Sequence, residues 1–165
     1  MKNQKNQNSA TLKQQYTSAD TSINSAKLPR VYSVARDIMT GSVIDYGCGK
    51  YFDLYGLPGN FYGYDPFNRD LPELLNRHYD TAVCSNVLNV IKEDAVRRDL
   101  LQTLQSIADT VIITVYEGNR SGVGKPTKKD CYQLNRRLCD YIPEVVSVFG
   151  AGNVRLYRGC LVCTR

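Results

Sequence analysis

The apolar positions of this chain fall into short runs that begin near Leu28 and alternate between helical and strand-like spacing. Residues 1–27 are rich in Asn, Gln, Ser, Thr and Lys and carry few apolar positions. Such a segment cannot bury enough surface to offset its ordering entropy, so it is expected to be a disordered or loosely docked arm. Val31, Val34, Ala35 and Ile38 recur at helical spacing, with Pro29 suited to a first turn and Gly41 to a C-terminal cap. Ser42 to Tyr46 then reads as a strand closed by Gly47-Cys48-Gly49, and Phe61 to Tyr64 as a second strand ending at Asp65-Pro66. Leu71 to Tyr79 is a short helix or an irregular link, and Thr81 to Ser85 a third strand. Val96, Leu100, Leu101, Leu104, Ile107 and Ala108 form an apolar stripe, with Arg97, Arg98, Asp99 and Gln102 off it, predicting an amphipathic helix. Thr110 to Tyr116 is apolar enough to be a central strand. Thr127-Lys128-Lys129-Asp130 resembles a capping box opening a helix with Cys131, Leu134, Leu138, Tyr141 and Ile142 inward. Val145 to Phe149 and Val154 to Cys163 read as two closing strands joined through Gly150-Ala151-Gly152-Asn153.

Strands alternate with helices until the last two, an order that predicts an open, mostly parallel α/β sheet with an antiparallel strand at one edge. Ligands of such sheets bind beyond the carboxyl ends of the strands. Gly47, Asp65, Asn86 and Glu117 all fall just past strand ends, on one rim.

Composition narrows the picture. A length of 165 residues suits one domain, here 28–165, with ordinary hydrophobic (42%) and charged (22%) content for a soluble protein. There is no apolar run of membrane-spanning length and no apolar stretch in the first ten residues, so a membrane partner is not expected and a cytoplasmic setting is. The six cysteines are scattered, and only Cys160 and Cys163 form a C-x-x-C, in an apparent strand where residues three apart face opposite ways. With His78 the only histidine, no metal site is expected and the thiols are read as reduced and mostly buried. The net charge of +5 is uneven: from Gly118 onward nine Lys or Arg face three Asp or Glu, whereas the preceding residues nearly balance.

The chemistry concentrates in Val43-Ile44-Asp45-Tyr46-Gly47-Cys48-Gly49. Two glycines at alternate positions after a strand let the backbone turn sharply and approach a ligand closely. Twenty residues after Asp45 the second strand ends in Asp65, where a carboxylate can accept hydrogen bonds from both hydroxyls of a ribose. A dinucleotide fingerprint competes for the same segment, but its third glycine would fall at Phe52. Asp45 would also repel a pyrophosphate while suiting a cationic ligand.

Asp45-x-Gly47-x-Gly49 followed by Asp65 resembles motifs I and II of the class I S-adenosylmethionine (SAM)-dependent methyltransferases, whose fold is Rossmann-like and doubly wound. The stretch Tyr79 to Ile91 is similar to that family's fourth strand and following loop. Ser85 to Ile91, with Tyr132-Gln133, is also similar to small bacterial and phage methyltransferases, among them those associated with DNA phosphorothioation. The resemblance implies that Asp45, Gly47 and Gly49 line the methionine part of SAM and that Asp65 holds the ribose. It further implies that Pro66 and Phe67 flank the adenine and that Ser85 and Asn86 sit near the methyl group. The chain departs from the family in having Tyr51 where motif I usually has a third glycine. Only fourteen residues separate Asp65 from Asp80, too few for the usual helix, strand and helix, so one edge strand of the family's seven is expected to be missing.

Methyl transfer demands placement of the acceptor and exclusion of water more than a strong base, and no obligatory catalytic residue stands out; Asn86 and Glu117 are the candidates. A D/N-P-P-Y type loop is absent, the corresponding residues being Ser85-Asn86-Val87-Leu88, and Cys84 follows Val83 rather than a proline. Arg120, Lys125, Lys128 and Lys129 lie in or beside the loop after the Thr110 to Tyr116 strand, where they can contact the phosphates of DNA or RNA. Three functions remain open at this level: a methyltransferase on nucleic acid or another polyanion, one on a small molecule or protein, and a catalytically silent fold serving as an interaction module. The sequence leaves the oligomeric state open.

Overall fold

The computed structural model describes residues 27–127 and 131–165. All but Lys27 of the expected arm therefore lies outside the described residues, as do Lys128 and Lys129. The elements, in chain order, are helix α1 (Val31–Val34), strands β1 (Val43–Tyr46), β2 (Phe61–Tyr64) and β3 (Tyr79–Ser85), helix α2 (Asp94–Ile107), strands β4 (Ala108–Thr114), β5 (Lys125–Pro126) and β6 (Tyr132–Gln133), helix α3 (Ile142–Phe149), and strands β7 (Val154–Tyr157) and β8 (Cys160–Thr164).

Six of the strands form one sheet in the order β2-β1-β3-β4-β8-β7. The first four are mutually parallel, β8 runs antiparallel to β4, and β7 antiparallel to β8. This is the doubly wound, mostly parallel sheet that the sequence implies; its one antiparallel strand, β8, lies just inside the edge strand β7, which runs in the same direction as the first four. Successive strand residues point to opposite faces, and each face is covered. On one face Ile44, Ala82, Cys84, Val111, Ile113, Leu161 and Cys163 pack under α2 and α3. On the other, Val43, Val83, Ile112, Cys160 and Val162 pack under Val31, Tyr32 and Ala35. Cys160 and Cys163 thus do face opposite ways, and of the six thiols only Cys139 is exposed. Among the described residues no helix is long and apolar enough to cross a membrane.

The short link after β2 leaves β2 at the sheet edge, in a six-stranded rather than seven-stranded sheet. Unpaired edges invite further strand pairing. Here Arg69 Nε donates to the Gly63 carbonyl at 3.1 Å, and the Arg77 guanidinium lies 4.6 Å from the Tyr62 ring centroid. The link itself is a 3-10 turn over Pro72–Asn76.

Several elements differ from expectation. The first helix is broken into α1 and a 3-10 turn at Arg36–Ile38. Residues 131–137 are not helical, although Cys131 and Leu134 are buried as expected. Their backbone is claimed from outside: Lys125 and Pro126 pair with Gln133 and Tyr132, and the Leu134 amide donates to the Asn89 carbonyl at 2.6 Å. The helix starts only at Leu138, first as a 3-10 turn and then as α3. Val145 to Phe149 is therefore helix, not strand. Its β-branched residues favour a strand locally, but Pro143 in the first turn and the buried Val145 and Phe149 on one face make it an amphipathic helix that Gly150, at φ 86°, terminates. Val154 to Cys163 is a hairpin rather than one strand, turning at Arg158 and Gly159, both at positive φ (46° and 80°) as in a two-residue hairpin loop.

Candidate functional site

The chain passes from β1 to β2 on one side, then crosses to β3 on the other. A crevice opens at such a switch point, beyond the carboxyl ends of the strands. Here it is a cavity of about 570 Å³. Tyr46, Gly47 and Gly49 from the end of β1, Tyr64, Asp65, Pro66 and Phe67 from the end of β2, and Ser85, Asn86 and Val87 from the end of β3 line it. Val90, Ile91, Val96 and Leu100 form its apolar side, against α2. Asn68, Asp70, Asp99 and Thr103 add to its polar lining. Of the residues singled out for cofactor contact, all but Asp45 meet on this one wall.

Local backbone chemistry explains the shape. Gly47 stands at φ 83° and Gly49 at φ 69°, a region that residues with a Cβ seldom adopt. A Cβ on Gly47 would collide with Val87, whereas one on Gly49 would meet nothing, so Gly49 borders open space. The Gly47 and Cys48 amides both donate to the Tyr64 carbonyl, at 2.7 and 3.2 Å, tying the turn to the end of β2. The turn leads into a 3-10 turn at Phe52–Leu54 and not into a helix. A second left-handed position, Asn86 at φ 60°, carries the chain off β3. Its amide donates to the Thr114 carbonyl at 2.9 Å, while its side chain is exposed on the cavity wall.

Asp65 is buried, and its carboxylate builds the turn that follows it. Oδ1 accepts from the amides of Phe67 and Asn68, both at 2.9 Å, and from Asn68 Nδ2 at 3.1 Å. Oδ2 accepts from the Gly49 amide at 3.0 Å. Each carboxylate oxygen offers about two lone-pair directions. Oδ1 is therefore saturated, and Oδ2 has room for one further donor. The expected grip on two hydroxyls reduces to a grip on one.

Asp45 lies beneath the glycine turn instead of on the cavity wall. Its Oδ2 accepts from the Tyr32 hydroxyl at 2.6 Å, and its buried Oδ1 has no partner. Burial raises its pKa to about 7, the Asp65 charge adds to the rise, and the Tyr32 hydrogen bond opposes it. The folded protein therefore holds the Asp45 proton more tightly than the unfolded chain does. Stability from this residue is full below pH 4 and is lost as pH rises through 7. Asp45→Asn should remove that loss: thermal melts of variant minus wild type should show a stability difference growing in the variant's favour from pH 4 to 8. A pH-independent difference would contradict the raised pKa. The sequence does not reveal Tyr32, from the element preceding β1, as the partner of Asp45, since nothing local links a tyrosine to an aspartate thirteen positions on.

Glu117 is placed elsewhere. Its Oε1 accepts from the Leu138 amide at 2.9 Å at the start of the 3-10 turn before α3, and its Oε2 pairs with Arg120 Nε at 2.7 Å. It caps a helix and does not reach the cavity. Arg120 is exposed and held by this pair, and Lys125 is exposed on β5.

The chain is similar to several solved methyltransferases. Magnesium protoporphyrin IX methyltransferase from Synechocystis, with bound SAM, is 17% identical over 82% of this chain and 76% of its own, with a TM-score of 0.46. The DhpI complex with S-adenosylhomocysteine (SAH) is 12% identical over 80% of this chain and 78% of its own, with a TM-score of 0.48. The glycopeptide N-methyltransferase MtfA complexed with SAH is 8% identical over 84% and 91%, with a TM-score of 0.46. No family model and no curated protein matches the chain.

The cavity's electrostatics are one-sided. Asp65, Asp70 and Asp99 line it, and among the described residues no lysine, arginine or histidine does. A phosphate-bearing ligand would meet three carboxylates without a cation to offset them. A ligand carrying net positive charge on an apolar and sugar-like body meets a matched surface.

Proposed function

We propose that this chain is a SAM-dependent methyltransferase of the small bacterial and phage type, with SAM held in the cavity beyond β1, β2 and β3. The observation that carries the reading is the convergence of Gly47, Gly49, Asp65, Pro66, Phe67, Ser85 and Asn86 on one cavity that holds three carboxylates and, among the described residues, no basic side chain. Bound there, SAM supplies a methyl group made electrophilic by its sulfonium. Gly47 and Gly49 admit the amino-acid end close to the backbone. Asp65 accepts one ribose hydroxyl on Oδ2. Pro66 and Phe67 flank the adenine, with Val87, Val90 and Ile91 opposite as its apolar bed. Ser85 and Asn86 border the place where an acceptor approaches. Both lie on the rim and carry no strong base, as befits a reaction governed by positioning.

Calorimetry tests the assignment. SAM and SAH should bind and NAD should not; NAD binding more tightly than SAM would overturn it.

The acceptor is proposed to be anionic, with nucleic acid foremost. This rests on the basic excess after Gly118 and on Arg120 and Lys125 being exposed in the segment that follows β4. A second reading has its own support. The glycine turn opens no helix, so no helix N-terminus stands behind it to favour a carboxylate. A silent binding module is what that favours, and SAM binding without methyl transfer to any acceptor would establish it.

A further inference from the structure

We propose that Tyr116 is a stacking platform for an unpaired base of a single-stranded nucleic acid, presented at the acceptor side of the cavity. The proposal rests on the methyltransferase reading above and names the acceptor that this site takes. Tyr116 follows β4 by two residues, and the carbonyl of Thr114, two positions earlier, binds the amide of Asn86. It therefore stands on the same rim as the cavity mouth. The residue is largely exposed (63%). A lone exposed aromatic is ordinary on a protein surface. What distinguishes this one is how its backbone is held.

Two buried amide side chains fix it. Asn89 Oδ1 accepts from the Tyr116 amide at 3.3 Å, and Gln133 Nε2 donates to the Tyr116 carbonyl at 3.0 Å. Asn89 Nδ2 in turn donates to Gln133 Oε1 at 3.1 Å, closing a ring between the loop after β3 and strand β6. Both side chains are buried, Asn89 to 2% exposure and Gln133 to 9%. Burying two amides is costly unless they are satisfied, and here they are satisfied by each other, by both main-chain groups of Tyr116 and by the Leu134 carbonyl, to which Gln133 Nε2 also donates. The result is a rigid backbone bearing an exposed aromatic face, the low-entropy arrangement suited to stacking. Lys92 lies 5.7 Å from the ring centroid of Tyr132 in the same strand pair, and Lys125 is exposed on the neighbouring strand. Aromatic faces among cations are how sequence-tolerant proteins grip single strands: bases stack while phosphates meet the charges. The carboxylate-lined cavity, by contrast, repels the phosphates and keeps the strand at the rim.

The chain contains no tryptophan, so Tyr116→Trp places one fluorophore at the platform. Adding a single-stranded oligonucleotide of about 12 nucleotides, within the usual range of such sites, should quench it. An abasic strand of equal length should not. In anisotropy titrations at low salt, Tyr116→Ala should lose about tenfold or more in oligonucleotide affinity, the scale of one stacked base, and Tyr116→Phe should retain it. SAM affinity should be the same in all variants, which also shows that each is folded. Equal oligonucleotide binding by Tyr116→Ala and wild type, or equal binding of the abasic strand, would overturn the proposal and leave the cofactor reading standing. Quenching by free nucleosides with no added affinity for the strand would overturn it in favour of a small aromatic acceptor. Failure of the wild-type chain to bind SAM would overturn the cofactor reading, and with it the role of Tyr116 beside a methyl donor.

Discussion

Asp65→Ala should weaken SAM binding by about 100-fold or more, the largest effect expected of any single change on the cavity wall. Two losses combine. A hydrogen bond from a ligand hydroxyl to a charged acceptor contributes about 1.5–3 kcal/mol, which is lost with Oδ2. The alanine also strands the donors that now converge on the carboxylate: the amides of Gly49, Phe67 and Asn68 and the Asn68 side chain. These donors are only partly buried, so each loses less than the about 1–3 kcal/mol of a fully buried one, yet the turn carrying Pro66 and Phe67 should rearrange and the glycine turn should lose its tie to it. Asp65→Asn separates the two effects. Its remaining oxygen can serve Phe67 and Asn68, so denaturant unfolding should show most of the stability retained. Its amide group, however, would face the Gly49 N–H with another donor, and SAM affinity should still fall by roughly tenfold or more. If Asp65→Asn binds SAM like the wild type in calorimetry, the carboxylate serves only the turn and the ribose assignment is wrong.

The contrast between what the chain's pattern predicts and what the structure holds is instructive at this same site. The strands that build the cavity wall are legible because each is a short β-prone run ended by a turn-forming residue: Val43 to Tyr46 by Gly47, Phe61 to Tyr64 by Asp65, and Thr81 to Ser85, which the structure extends back to Tyr79, by Asn86. So is α2, whose stripe of Leu100, Leu101, Leu104 and Ile107 is buried as expected. The missing edge strand is legible too, since it follows from counting residues between two strands. What escapes is long-range. Asn89 and Gln133 are forty-four positions apart, the one read in the loop after a strand and the other inside an expected helix; only the fold shows that they meet. Residues 131–137 have apolar positions at helical spacing, but their backbone hydrogen bonds go to β5 and to the loop after β3, so tertiary contacts override the local pattern. Glu117 sits past a strand end like the other rim residues, yet the helix start at Leu138 claims it. Arg97 is the sharpest case, a charged residue placed by the pattern on the solvent side of α2 that is in fact fully buried.

Arg97→Ala should therefore destabilise the protein by about 3–5 kcal/mol, the scale for removing one partner of a buried ion pair. The guanidinium uses its fork fully. Nη1 donates to the carbonyls of Ile91 and Lys92 at 2.7 and 3.0 Å, while Nε and Nη2 grip the two oxygens of Glu144 at 2.7 and 2.8 Å. Nη2 also bonds Asp94 at the start of α2. One side chain thus joins the loop after β3, the first turn of α2 and the first turn of α3. Alanine leaves two carbonyls without their donor and Glu144 with Arg136 alone, at 2.8 Å. A domain of this size holds only about 5–15 kcal/mol of net stability, so the variant should unfold at markedly lower urea. Lysine should not rescue it, because an ammonium cannot reproduce the planar fork that spans both Glu144 oxygens. The double variant Arg97→Met with Glu144→Leu should recover part of the loss, since it removes the stranded charge along with the cation. Ile91 also lines the cavity, so SAM should protect wild type against urea more than it protects Arg97→Ala at equal ligand concentration. A urea midpoint for Arg97→Ala within error of the wild type would mean that the buried network is not what holds α2 and α3 to the cavity wall.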